Sequence, residues 1–169
     1  MADGPGQTVL LVCTGNTCRS PMAEGIARQV LAEMRGVSVE ALEEDGVRVA
    51  SAGVSAMDGS AASEQAVEVM AERGVDLSGH ASRGLTVEMV RGADVVYTMT
   101  GAHRAMVLRM LEGERDYAEL QGRVSRLLPD EDVADPIGGP RAEYAATADQ
   151  IERGLRVRLR QWERASRSS

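Results

Sequence analysis

The stretch that most constrains this 169-residue chain runs from Thr8 to Glu24. Thr8-Val9-Leu10-Leu11-Val12 is a β-type run, and it leads directly into Cys13-Thr14-Gly15-Asn16-Thr17-Cys18-Arg19-Ser20. Pro21-Met22-Ala23-Glu24 leads out in helical register. Backbone N–H groups in such a strand–turn–helix passage converge on one point and make a concave anion site. The helix predicted to start at Ser20 or Pro21 adds its free N–H groups and the positive end of its dipole. Ser20 is expected to cap that helix and Pro21 to fill its first position. An oxyanion bound in the turn sits against the Cys13 sulfur.

The remaining chain supplies a scaffold for this turn. Met22, Ile26, Val30 and Met34 recur every four residues, which predicts an apolar helix face over 21–34. Gly36 ends that helix, and the acidic stretch 37–46 reads as a surface connection with a frayed helical turn. A second strand is expected at 47–50, running into Ser51-Ala52-Gly53, and a helix from about Ser63 to Arg73. A short helix over 87–91 precedes a third strand at 94–99. A helix over 102–111, with Ala102, Met106, Leu108 and Leu111 apolar, precedes a short strand at 124–128. After the acidic loop 129–140, a last helix from about Arg141 to Arg164 carries Ala148, Ile151, Leu155, Leu159 and Trp162 as its stripe. Strands alternating with helices imply a parallel sheet covered on both faces, the α/β class. Ligands in such sheets bind beyond the carboxyl ends of the strands, where the Cys13 turn lies. No linker divides the chain, so residues 8–165 are expected to form one domain, with 1–7 a mobile tail and 166–169 a second tail.

Composition excludes several functions. A formal net charge of −7 opposes nucleic acid as a partner, because phosphate neutralisation needs a basic face. No apolar run approaches the ~20 residues that span a bilayer, so a membrane role is not expected. The two cysteines, Cys13 and Cys18, lie in one loop and are not a secreted protein's disulfide framework; a cytoplasmic location is expected. All 19 basic residues are Arg. Any aromatic-lined pocket must be built from Tyr97, Tyr117, Tyr144 or Trp162.

The residue types in the turn fit nucleophilic attack on phosphorus. A cysteine attacks as its thiolate, which helix N-termini and cations favour. Arg19 offers a planar fork that binds two phosphoryl oxygens at once. Gly15 and Asn16 tolerate the positive φ that inward-folded amides demand. Ser20 can donate a hydrogen bond to the sulfur. Such a reaction needs an acid to protonate the leaving atom. Asp135-Pro136 is the candidate, since Pro136 restricts Asp135 to extended backbone that can aim its carboxyl group. On residue chemistry alone, Asp130, Glu131, Asp132 and Asp135 read equally as a solvated acidic loop. His80 and His103 read as structural hydrogen-bonding groups.

The loop and the Asp-Pro pair together resemble the low-molecular-weight protein-tyrosine-phosphatase family. Further similarity lies in Ser51-Ala52-Gly53, Asp76-Leu77-Ser78-Gly79-His80 and Ala93-Asp94. The resemblance implies a four-stranded parallel sheet with helices on both sides. It implies that Cys13 is the nucleophile, that Arg19 clamps phosphate, and that Asp135 acts first as acid and then as base. The amides of residues 14–19 would bind the phosphoryl oxygens, Asn16 and Ser51 would brace the loop, and Ser20 would steady the thiolate. No metal and no cofactor are implied, and the partners implied are phosphorylated proteins met by a monomer. Thr17, Thr100 and Ile137, the last followed by Gly138-Gly139, depart from the tyrosine-specific members and resemble the bacterial protein-arginine-phosphatase subgroup. Phosphoarginine is therefore the expected substrate, with phosphotyrosine the alternative. Cys18 is placed to form a protective disulfide with Cys13 under peroxide, or to be a packing residue. A thiol-coupled arsenate reductase and a non-catalytic phosphate-binding or redox module are the competing functions; no cysteine follows Cys18 to serve an internally resolving reductase.

Overall fold

The computed structural model describes residues 6–168; residues 1–5 of the tail expected over 1–7, and Ser169, lie outside the described residues. Its centre is a parallel sheet of four strands in the order β2-β1-β3-β4. They are β1 (Gln7–Cys13), β2 (Val47–Gly53), β3 (Val95–Thr98) and β4 (Val124–Arg126). β1 pairs with β2 from Gln7 opposite Val47 to Cys13 opposite Gly53, and with β3 from Val9 opposite Val95. Among the described residues six α-helices surround the sheet: α1 (Arg19–Arg35), α2 (Glu64–Glu72), α3 (Val87–Gly92), α4 (Gly101–Leu111), α5 (Tyr117–Gln121) and α6 (Arg141–Arg167).

The central strand divides the core by simple alternation. Val9, Leu11 and Cys13 face one layer, where Met22, Ile26 and Val30 of α1 meet Tyr144, Ile151, Leu155 and Leu159 of α6. Leu10 and Val12 face the other, with Val90 of α3, Val107 and Leu111 of α4 and Leu120 of α5. Each such fully buried aliphatic side chain contributes roughly 1.5–3 kcal/mol. Because β1 is buried on both faces, its carboxyl end is rigidly placed, and the turn that follows inherits that position. The same parity puts Cys13 on the α1–α6 side.

Several boundaries differ from the expectations. Gln7 belongs to β1, and α6 continues through Arg167, so neither position is tail. The acidic connection holds a single 3-10 turn, Val39–Ala41, capped by Ser38. α1 begins at Arg19, one position before Ser20, and no side chain caps it. Ser20 lies inside the helix with its hydroxyl free for other partners. On α4 the inward residues are His103, Val107 and Leu111, whereas Met106 is 45% exposed and Ala102 is exposed. α5 was not foreseen: at five residues it is too short to show an apolar periodicity, and Asp116 at its cap position makes no side-chain cap bond.

Candidate active site

The turn after β1 is built around Asn16. Its backbone takes φ +56°, the left-handed region that asparagine tolerates better than most residues. That conformation turns its N–H toward Cys13, and the nitrogen lies 3.3 Å from Sγ. Its fully buried side chain is satisfied at both ends. Nδ2 donates to Ser20 Oγ at 2.8 Å and to Ser51 Oγ at 2.9 Å, while Oδ1 accepts from the Arg83 N–H at 3.0 Å. The Asn16 carbonyl accepts from His80 Nε2 at 2.7 Å. One residue thus ties the loop to α1, to β2 and to the segment 80–83. The end of β2 also passes against the loop: a Cβ at Gly53 would lie 2.4 Å from the Thr14 carbonyl oxygen. Only glycine fits there.

Cys13 is 3% exposed, with Sγ 2.9 Å from Ser20 Oγ. The Ser20 hydroxyl already accepts from Asn16, so its single hydrogen is available to the sulfur. With the Asn16 amide this gives two donors aimed at Sγ.

Arg19, at the start of α1, is buried at 7% exposure. Its Nη1 donates to the Val133 carbonyl at 3.2 Å, and its Nη2 lies 3.5 Å from Asp135 Oδ2. These contacts bring the 129–140 loop over the Cys13 turn. Asp135 is half exposed, and its Oδ1 accepts from the Ile137 N–H at 3.1 Å. Pro136 is buried beneath it. The turn closes with the Gly139 N–H donating to the Pro136 carbonyl at 2.9 Å, and Gly138 supplies φ +77°. A cavity of about 300 Å3 beside Asp135 is lined by Pro136, Glu143, Thr147, Gln150 and Arg153.

The other expected residues divide into two groups. Thr14, Gly15, Thr17 and Cys18 all lie in the turn. Thr17 is half-buried and its carbonyl accepts from the Ser63 N–H at 2.9 Å, joining the loop to the start of α2. Cys18 Sγ packs below, 3.4 Å from Ser63 Oγ and 3.6 Å from the Tyr144 hydroxyl, and both cysteines are free thiols. Thr100 and Ile137 stand further out. Thr100 Oγ1 caps α4 by accepting from the His103 N–H at 3.0 Å, and Ile137 is 67% exposed. Among the described residues no group of three or more His, Cys, Asp or Glu could hold a metal ion. Among the described residues no helix is long and apolar enough to cross a membrane.

Three further residues support the turn: His80 and His103, expected as structural hydrogen-bonding groups, and Arg83, which the sequence does not single out. Arg83 donates its backbone N–H to Asn16 and its Nε to the Ser51 carbonyl at 3.0 Å. His80, read only as structural, holds the Asn16 carbonyl. His103 reaches Thr14 Oγ1 from α4 with Nε2 at 2.7 Å. Burial and then the Arg19 charge push the His103 imidazole down to about 4, with Asp132 and Asp135 partly opposing. The cavity of about 430 Å3 between α1 and residues 74–80 meets this network only at His80.

Several known phosphatases are similar to this chain. The family model described as low molecular weight phosphotyrosine protein phosphatase matches residues 8–167. The protein-arginine-phosphatase of Geobacillus stearothermophilus is 39% identical over 145 residues, covering 85% of this chain and 88% of that protein. The probable low molecular weight protein-tyrosine-phosphatase EpsP of Ralstonia nicotianae is 35% identical over 151 residues, covering 88% of this chain and 91% of that one. A solved structure of a YwlE arginine phosphatase mutant, carrying a phosphorylated active-site serine, superposes with TM-score 0.79 at 33% identity, covering 96% of this chain and 100% of that one.

Proposed function

The chain belongs to the low molecular weight phosphotyrosine protein phosphatase family, and from that premise we propose that it hydrolyses phosphoarginine in proteins through a phosphocysteine intermediate. The Cys13 thiolate attacks phosphorus, so an S–P bond forms as the P–N bond to the guanidino group breaks. Asp135, protonated at that moment, gives its proton to the departing nitrogen. In the second half the Asp135 carboxylate takes a proton from water, the oxygen attacks phosphorus, and the S–P bond breaks to release phosphate and the thiolate. The amides of residues 14–19 and the Arg19 fork hold the three non-bridging oxygens as charge shifts onto them. The phosphorylated serine in the YwlE structure supports the covalent route, since the nucleophile's position there carries the phosphoryl group.

One observation carries the choice of phosphoarginine: no aromatic ring is free to stack on a phenol. Tyr97 is buried with Arg158 over its ring, and Tyr144 is buried beneath the turn against Cys18. Tyr117 and Trp162 pack against the two core layers. The acid loop offers Ile137, Gly138 and Gly139 in place of a ring. A phenyl phosphate loses its stacking partner, whereas a guanidino leaving group meets a half-exposed carboxylate that accepts its N–H groups.

The test is kcat/KM on phosphoarginine and phosphotyrosine peptides, for the wild type and for Thr17→Ile, with Cys13→Ser as the inactive control. Wild type should prefer phosphoarginine, and the preference should weaken or reverse in Thr17→Ile. Faster phosphotyrosine hydrolysis by the wild type would favour the tyrosine-phosphatase alternative, the activity named for EpsP.

A further inference from the structure

His103 is 4% exposed, yet its Nδ1 is a buried ring nitrogen with no hydrogen-bond partner among the described residues. Its other nitrogen, Nε2, makes a 2.7 Å bond to the hydroxyl of Thr14, the residue directly after the nucleophile. Two facts fix the direction of that bond. A buried N–H without an acceptor is rarer and costlier to keep than an under-used lone pair, so Nδ1 is the unprotonated nitrogen and Nε2 carries the hydrogen. Protonating the ring would create just such an orphan N–H at Nδ1, close to the Arg19 charge. Nε2 is therefore the donor and Thr14 Oγ1 the acceptor. The threonine's own hydrogen is left unused, on an exposed side chain at the mouth of the anion site.

We propose that His103 and Thr14 form a positioning pair: the neutral imidazole holds Thr14 Oγ1 as an acceptor, and the hydroxyl hydrogen is thereby presented to a phosphoryl oxygen of the bound substrate. The anion site then has a side-chain donor in addition to its amides and Arg19. The pair is held from behind. The His103 N–H donates to the Thr100 cap, and the N–H of Gly101 donates to Asp132 Oδ1 at 2.9 Å, so the first turn of α4 is fixed at both the cap and the following residue. This role rests on the reading of the Cys13 turn as the phosphate site.

The experiment is a double-mutant cycle with His103→Leu, Thr14→Val and the pair together. It measures kcat/KM on a phosphoarginine peptide and the affinity for inorganic phosphate by calorimetry. Each single variant should lose roughly five- to tenfold in both quantities, and the double variant should lose no more than either single one. His103→Gln, whose amide nitrogen can stand near the Nε2 position, should recover most of the loss. Thr14 is exposed, so Thr14→Val tests the pair even where His103→Leu unfolds. Phosphate binding equal in wild type and Thr14→Val would overturn the pair while leaving the phosphate site standing, as would multiplicative losses in the cycle. Absence of phosphate binding to the wild type would instead overturn the site and the pair together.

Discussion

The two loops that meet at Arg19 are built on opposite principles. In the turn over residues 13–20, Cys13, Asn16, Cys18, Arg19 and Ser20 are buried while Thr14 is exposed, and Asn16 at its centre is satisfied by Ser20, Ser51, Arg83 and His80. The loop over 129–140 is mostly exposed; it is anchored by Val133, whose N–H donates to the Met99 carbonyl at 2.8 Å, and by Pro136. Its catalytic candidate, Asp135, touches the turn through a single 3.5 Å approach to a buried guanidinium. The Cys13 turn is organised by folding itself. The 129–140 loop is tied at Pro129, Asp132, Val133 and Ala134, so that Asp135 stands exposed just beyond its fixed part, placed for the two steps proposed for it.

The sharpest way to break this comparison is to remove the acid alone. Asp135→Asn should lower kcat by about 10²–10⁴ while leaving the melting temperature within about a degree, because a half-exposed carboxylate 3.5 Å from Arg19 adds little to folding. Steady-state kinetics beside a thermal melt would check both halves. A large drop in melting temperature would mean that the acid loop is as much part of the folded frame as the turn.

Asn16→Ala is the converse case. It removes three side-chain hydrogen bonds from a fully buried position and places alanine at φ +56°. Stranded partners and the left-handed backbone together cost roughly 3–4 kcal/mol, or about 10 °C for a chain of this size. Activity should fall as well, since the Asn16 N–H no longer points at the sulfur. If melting is unchanged and only activity falls, the turn is not prefolded in the sense argued above.

The contrast between the loops also explains what the sequence reveals. Cys13, Arg19 and the strand and helix beside them are local features, and their spacing carries the chemistry directly. The bracing partners are not local. Ser51, His80, Arg83 and His103 come from three later segments, brought to the turn by the strand order β2-β1-β3. Nothing in the spacing of a lone histidine or arginine marks it as a brace. Ser20 was misread as a cap for a related reason: a hydroxyl at a helix start is the usual cap signal, and its use by Asn16 and Cys13 appears only when the turn is folded. Asp135 stayed ambiguous on residue chemistry because an exposed acidic loop looks the same whether or not it closes over a cation.

His103 belongs to both loops, through Thr14 on one side and through the α4 start that Asp132 holds on the other, and it yields the smallest of these effects. Its folded-state value near 4 lies below the ordinary 6.5. The unfolded chain therefore binds a proton below pH 6.5 that the native protein refuses. Stability should be lost as pH falls from about 6.5 toward 4 and level off beneath it, amounting to about 2 kcal/mol at pH 5. The charged groups facing the ring pull in both directions: Arg19 of α1 disfavours the imidazolium, and Asp132 and Asp135 of the acid loop favour it. The aspartates with lowered values, Asp76, Asp116 and Asp132, release their contribution only below the usual 3.8, beneath this window. Urea midpoints at pH 7.5 and pH 5 isolate the effect. Wild type should lose the expected stability between the two, and His103→Gln, which cannot titrate, should lose much less. Equal losses in the two proteins would place the ring in contact with solvent, and with that the buried, neutral support for the nucleophile's loop would fall.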